Sequence, residues 1–195
     1  MNKGRLEAFS DGVFAIIITI MVLELHAPEG GSFADLKPLI PKFISYLLSF
    51  AYLAIYWNNH HHTFQAVKHV NGRVLWANIF LLFCLSLVPF VTAWMGENNF
   101  SASPVALYGV VLLLCALAYP LLLRSLISLH GKDSLLGASI GKDFKGKLSI
   151  AIYSAGIIAS FFNSWIGFAL YSVVAFIWII PDNRIEKRLV VKGEE

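Results

Sequence analysis

Arg5-Leu6-Glu7-Ala8-Phe9-Ser10-Asp11-Gly12-Val13-Phe14-Ala15-Ile16-Ile17-Ile18-Thr19-Ile20-Met21-Val22-Leu23 puts one apolar run, with a single acid inside it, almost at the start of the chain. A hydrocarbon core about 30 Å thick needs roughly 20 apolar residues per helix. The run from about Leu6 to Leu25 supplies them and stops at the turn-forming Ala27-Pro28-Glu29-Gly30-Gly31. The preceding Met1-Asn2-Lys3-Gly4-Arg5 resembles the basic start of a signal peptide. Asp11 interrupts the run, however, its apolar part is long, and no small-x-small cleavage site follows Leu23. It reads as a retained first helix.

Outward from this run the pattern repeats. Of 195 residues, 57% are apolar and 14% charged, against about 25% charged in a soluble domain. Further apolar runs cover about residues 40–57, opening after Pro38 and Pro41, then 74–95, 105–128, 148–162 and 165–180. Prolines suit helix starts, and Pro89 and Pro120 inside the third and fourth runs are tolerable as kinks in membrane helices. Only Asn163-Ser164 separates the last two runs, which predicts an antiparallel helical hairpin, and Pro181 then ends the membrane part. The fold class expected is an all-α membrane protein of six transmembrane helices, one domain over residues 1–195. No room is left for a separate soluble domain.

Charge gives the orientation. Of the 15 basic residues, 13 lie at the start, after helix two, after helix four and in the tail; only Lys37 and Lys42 fall on the other side. That other side also carries Glu24, Glu29, Asp35 and Glu97. Positive charge favours the cytoplasm, so both termini are expected inside a multi-pass protein of the cell membrane, and an even number of spans agrees. Because the basic residues flank membrane runs, the net charge of +3 points to no nucleic-acid partner. Cys84 and Cys115 fall within apolar runs and read as small hydrophobes. Trp57, Trp76, Trp94 and Trp165 stand near span ends, as headgroup anchors do. The Gly-, Ser- and Lys-rich stretch 131–146 reads as a flexible connector, and 182–195 as a short helical extension or a disordered tail.

The first helix carries most of the chemistry. An acid within a span costs at least about 2.5 kcal/mol at the helix centre without a partner or water, which makes Asp11 a candidate functional residue. It also suits a plain role as an acid near a helix N-terminus, and the two readings stay open. At about 100° per residue, Phe9, Gly12, Ile16, Ile20 and Leu23 share a stripe, Asp11 points away from it, and Ser10 sits cleanly on neither side. On periodicity alone that stripe is lipid-facing or packing surface. Gly12 and Ala15 allow close approach of another backbone. Partners for Asp11 are expected among His60-His61-His62 and Asn78, at a similar membrane depth, in a cluster that braces helix one. Three consecutive histidines project about 100° apart, whereas zinc sites favour spacings such as i, i+4. Hydrogen bonding is therefore expected of them, and no metal or cofactor.

The string R-x-x-x-F-S-D-G at Arg5 to Gly12, with the apolar stretch to Leu23, closely resembles the signature first helix of the prokaryotic relatives of the endolysosomal potassium channel. Six spans, about 200 residues, the Trp57-to-His62 region and Asn78 extend the likeness. The resemblance implies a homotetramer in the lipid bilayer that conducts potassium and other monovalent cations through a pore lined by four copies of helix one. It implies hydrophobic constriction rings at Ile16, Ile20 and Leu23, and a hydroxyl tied to cation preference at Thr19. It makes Arg5, Phe9, Ser10, Asp11, Trp57, His60, His61 and Asn78 a structural network around that helix. The Thr-Val-Gly-Tyr-Gly carbonyl filter of ordinary potassium channels is absent. A dry apolar neck closes a pore by dewetting, so only modest preference for potassium over sodium is expected. The alternative is a membrane enzyme or redox protein using His60 to His62. A transporter fits less well, since spans two to six show few broken helices or midplane charges.

Overall fold

The computed structural model describes residues 3–131, 134, 136, 137 and 143–179. Pro181, the tail 182–195 and half of the 131–146 connector lie outside the described residues, and the connector's last three residues are helical. The described chain is helical, with no strand among the described residues. Helix α1 covers Lys3–Leu23, and a 3₁₀ turn at Phe33–Leu39 leads into α2, Ile40–Gln65. Next come α3, Gly72–Ser86, and α4, Val88–Glu97. Helix α5 covers Ala102–His130, α6 Phe144–Ser160 and α7 Ser164–Ile179.

These elements form six helical rods, because α3 and α4 are one apolar rod broken at Leu87. The break has a local cause: Pro89 stands in the first turn of α4 and has no N–H to give to the helix before it. Pro120, by contrast, lies inside an unbroken α5. Four rods, Lys3–Leu23, Phe33–Gln65, Gly72–Glu97 and Ala102–His130, are long and apolar enough to cross a membrane. The last two are shorter, at 17 and 16 residues, or about 25 Å at 1.5 Å per residue.

Boundaries differ from the sequence reading in two informative places. The first span ends at Leu23 rather than Leu25. The second continues eight residues past Trp57 to Gln65, so the histidines are helical and Trp57 sits mid-helix rather than at a span end. Hydropathy missed this turn because Asn58-Asn59-His60-His61-His62 is polar, yet its backbone bonds are the same as those of the apolar turns before it.

Helices α6 and α7 do form a hairpin, joined through residues 161–163. Small residues let the two backbones meet: a Cβ added at Gly167 would lie 2.9 Å from the Gly156 carbonyl oxygen and would strike the Ser160 hydroxyl. Elsewhere the core is tied by hydroxyls. Ser49 Oγ bonds to Thr92 Oγ1 at 2.7 Å and to the Tyr108 hydroxyl at 3.0 Å, linking α2, α4 and α5. The Tyr52 hydroxyl donates to the Tyr171 carbonyl at 2.6 Å, and the Tyr153 hydroxyl donates to that of Tyr52 at 3.2 Å. A polar group in hydrocarbon must be satisfied internally, and these side chains meet that demand. Large apolar side chains face outward around the bundle, Trp76 at 73% exposure, Phe83, Phe90 and Phe176 among them. A lipid-facing surface has that composition; a water-facing one does not.

Candidate pore-lining site

Helix α1 shows two faces. Leu6, Ser10, Phe14, Ile17 and Met21 are buried at spacings of three and four residues, the repeat that keeps side chains on one side of a helix. They pack against α2, α3 and α4. Across the helix, Phe9, Gly12, Ile16, Thr19, Ile20 and Leu23 are uncovered, with Ile16 at 60% and Leu23 at 68% exposure. A Cβ added at Gly12 would meet nothing within 4 Å. The Thr19 hydroxyl donates to the Ala15 carbonyl at 2.8 Å, leaving its lone pairs on the open face. Among the described residues this stripe has no partner.

Behind it runs a buried polar chain with a fixed direction. Ser10 Oγ donates to the Leu6 carbonyl at 2.9 Å, and a carbonyl can only accept. Ser10 Oγ must then accept from Asn78 Nδ2, at 2.9 Å. That leaves Asn78 Oδ1 to accept from His60 Nε2, at 2.8 Å, and so assigns the imidazole proton to Nε2. Ser10, Asn78 and His60 are each at most 2% exposed, and they join α1, α3 and α2. The His60 ring also meets Phe14 edge-on at 5.9 Å and lies 4.5 Å from Phe64.

Asp11 stands apart from this chain. It is exposed, and its Oδ1 accepts from Trp57 Nε1 at 3.0 Å. Trp57 stacks on His61 at 5.7 Å and 17°, and His61 reaches Gln65 at 2.8 Å. Asp11 thus reaches α2 through Trp57 and not, as expected, through His60, His61, His62 or Asn78, while the polar residue of α1 that is fully buried is Ser10. Arg5 is exposed and has no partner among the described residues. Phe9 lies on the uncovered stripe instead of in the network. His60 and His61 are held by different neighbours, and Nδ1 of His62 is buried without a partner among the described residues. The three imidazoles do not converge on a common point.

One contact had no signal in the sequence. Lys3 Nζ donates to the carbonyls of Phe64, at 2.8 Å, and Val67, at 3.2 Å, with Glu7 at 3.8 Å. A lysine at a helix C-terminus satisfies orphan carbonyls and favours the dipole, but the helix end it serves is some sixty residues away in sequence. The hydroxyls of the core left a fainter trace: Ser45, Ser49 and Tyr52 recur on one face of α2. Of the acids assigned to the other side, Glu97 pairs with Lys42 at 2.9 Å and Asp35 is held by Ser32.

The family model for the endosomal/lysosomal potassium channel TMEM175 matches residues 5–89, which include α1 from Arg5 onward and every member of the buried chain. A protein from Chryseobacterium sp., named a potassium channel, is 56% identical over 97% of this chain and 98% of its own length. The chain belongs to the TMEM175 family. Another protein named a potassium channel, from Streptomyces collinus, is 37% identical over 61% of this chain and 62% of its own. Among solved structures, that of a lysosomal potassium-selective channel TMEM175 homologue from Chamaesiphon minutus matches with a TM-score of 0.80 at 29% identity, covering 93% of this chain and 98% of that one. TMEM175 proteins are channels and not enzymes, so the reading of His60 to His62 as an enzyme or redox site does not hold. The fold expected of a six-helix prokaryotic TMEM175 relative is the fold observed.

Proposed function

We propose that this chain is one subunit of a potassium-permeable channel, with four copies of α1 around a central pore and the Phe9–Leu23 stripe facing the axis. The observation that carries the reading is that stripe: an apolar face with an open Gly12, left uncovered on a helix whose opposite face is packed and hydrogen-bonded. Ile16, Ile20 and Leu23 then make three apolar rings one turn apart, and a hydrated ion does not pass a narrow dry neck. Thr19, between the first two rings, presents its hydroxyl oxygen to the ion. Ser10, Asn78 and His60 hold α1 from behind, with Asp11 and Trp57 bracing its edge. In this reading both termini are cytoplasmic and the chain lies in the cell membrane, which the split of basic residues supports. The permeant potassium ion is cargo, and no cofactor is required.

Potassium flux into liposomes carrying the purified protein, set against a sodium gradient, tests the assignment. Flux is expected from the native protein and, several-fold larger, from Ile16→Asn, because a ring of carboxamides keeps the neck wet. Absence of flux from both, in protein that remains a folded oligomer, would overturn it.

A further inference from the structure

A second cavity lies away from α1, between α2, α5, α6 and α7 of one chain. Tyr56, Asn59, Tyr119, Asp143, Tyr153 and Trp178 shape it, and no residue of the pore stripe contributes. Its volume is ≈ 40 Å³, room for roughly three waters at 10–15 Å³ each. Its wall is mostly apolar and aromatic. Three polar groups in that wall are idle: the Tyr56 hydroxyl and the Asn59 carboxamide have no hydrogen-bond partner among the described residues. The third is Asp143 Oδ2, since Oδ1 alone accepts the Gly146 N–H, at 2.9 Å.

We propose that this cavity binds a small primary alkylammonium ion. Waters would each need two to four polar partners, so three open groups in an otherwise largely apolar wall serve one water well but not the three that the volume admits. A calcium or magnesium ion needs a shell of six or more oxygens, and the carboxylate repels an anion. An alkylammonium matches both parts of the wall. Its three N–H groups address the carboxylate, carboxamide and phenol oxygens, and its alkyl body and charge lie against the Tyr119, Tyr153 and Trp178 rings. The Trp178 ring already attracts an ammonium, for Lys145 Nζ stands 5.9 Å from its centroid. That lysine also donates to the Ile177 carbonyl of α7, at 3.5 Å. The cavity lies at the end of the bundle where α2 and α7 finish and α6 begins, the cytoplasmic end in the proposed orientation. The proposal is independent of the pore reading.

Full-length protein in lipid nanodiscs, titrated with propylammonium chloride at constant ionic strength while tryptophan fluorescence is followed, provides the test. Parallel titrations use 1-propanol and potassium chloride. A saturable change is expected with propylammonium alone, and it should vanish in Trp178→Phe. Affinity should fall about tenfold or more in Asp143→Asn and about threefold in Tyr56→Phe, the usual weights of a charge-assisted and a neutral hydrogen bond. Both variants should fold, since asparagine also caps helices and the Tyr56 hydroxyl gives up no internal bond; elution volume checks this. Three results overturn the proposal: no saturable change with propylammonium, an equal response to propanol, or native affinity in both Asp143→Asn and Tyr56→Phe.

Discussion

Ser10, Asn78 and His60 form a relay in which each partner has one permissible role, so loss of one leaves its neighbours unpaired in a dry setting. Asn78→Leu strands the His60 N–H and an acceptor on Ser10. An unsatisfied buried group costs about 1–3 kcal/mol, which at roughly 2–4 °C per kcal/mol lowers the thermal midpoint by at least several degrees. Trp57→Phe removes a bond that is open to its surroundings, and its midpoint should fall by less than that of Asn78→Leu. Unfolding of the two variants side by side checks the contrast; equal shifts would mean the buried relay is not the stronger brace. The sequence made Asp11 conspicuous because an acid in an apolar run is costly. Ser10, a small polar residue beside it, gave no comparable sign, although it is the one that ends fully buried. Burial of a serine depends on which helix covers it, and that is a tertiary fact.

Helix α1 owes its place to contacts at several heights. Phe14, Ile17 and Met21 pack into the bundle, Ser10 is tied to α3, and Lys3 is fastened to carbonyls at and just past the end of α2. If rotation of α1 opens the neck, the Lys3 tie opposes it from the helix end. Lys3→Met should therefore raise potassium flux in liposomes, while its thermal midpoint moves little, since a lysine at a helix terminus contributes about 0.3–1 kcal/mol. Unchanged flux would show that the tie is only structural. The rods themselves were legible in the sequence, because roughly twenty apolar residues between turn signals leave few alternatives. Their polar ends were not. The Asn58-to-His62 turn reads as the end of a span by hydropathy, yet α2 carries it on to Gln65 so that His60 can reach Asn78.

In the proposed assembly, the uncovered stripe on α1 meets three further copies of the same helix. Native mass measurement in nanodiscs should give four chains per particle, and a monomer would leave the stripe facing lipid. His26→Cys should be labelled from outside intact cells by a membrane-impermeant maleimide, because it follows α1 on the side poor in basic residues; labelling only after lysis would reverse the orientation. The number of rods and the family motif were readable from one chain. Symmetry was not, because a stripe meant for a pore and one meant for lipid have the same composition. Thiol chemistry separates the two. Native Cys84 and Cys115 are buried, so an introduced thiol reports with little background. The deciding measurement is potassium current through Leu23→Cys and Val173→Cys channels before and after a charged methanethiosulfonate reagent. Leu23 ends the α1 stripe, whereas Val173 is exposed on α7. Current through Leu23→Cys should change at least several-fold while Val173→Cys does not respond. An unaltered Leu23→Cys current, with labelling confirmed by mass, would contradict the assignment of α1 to the pore.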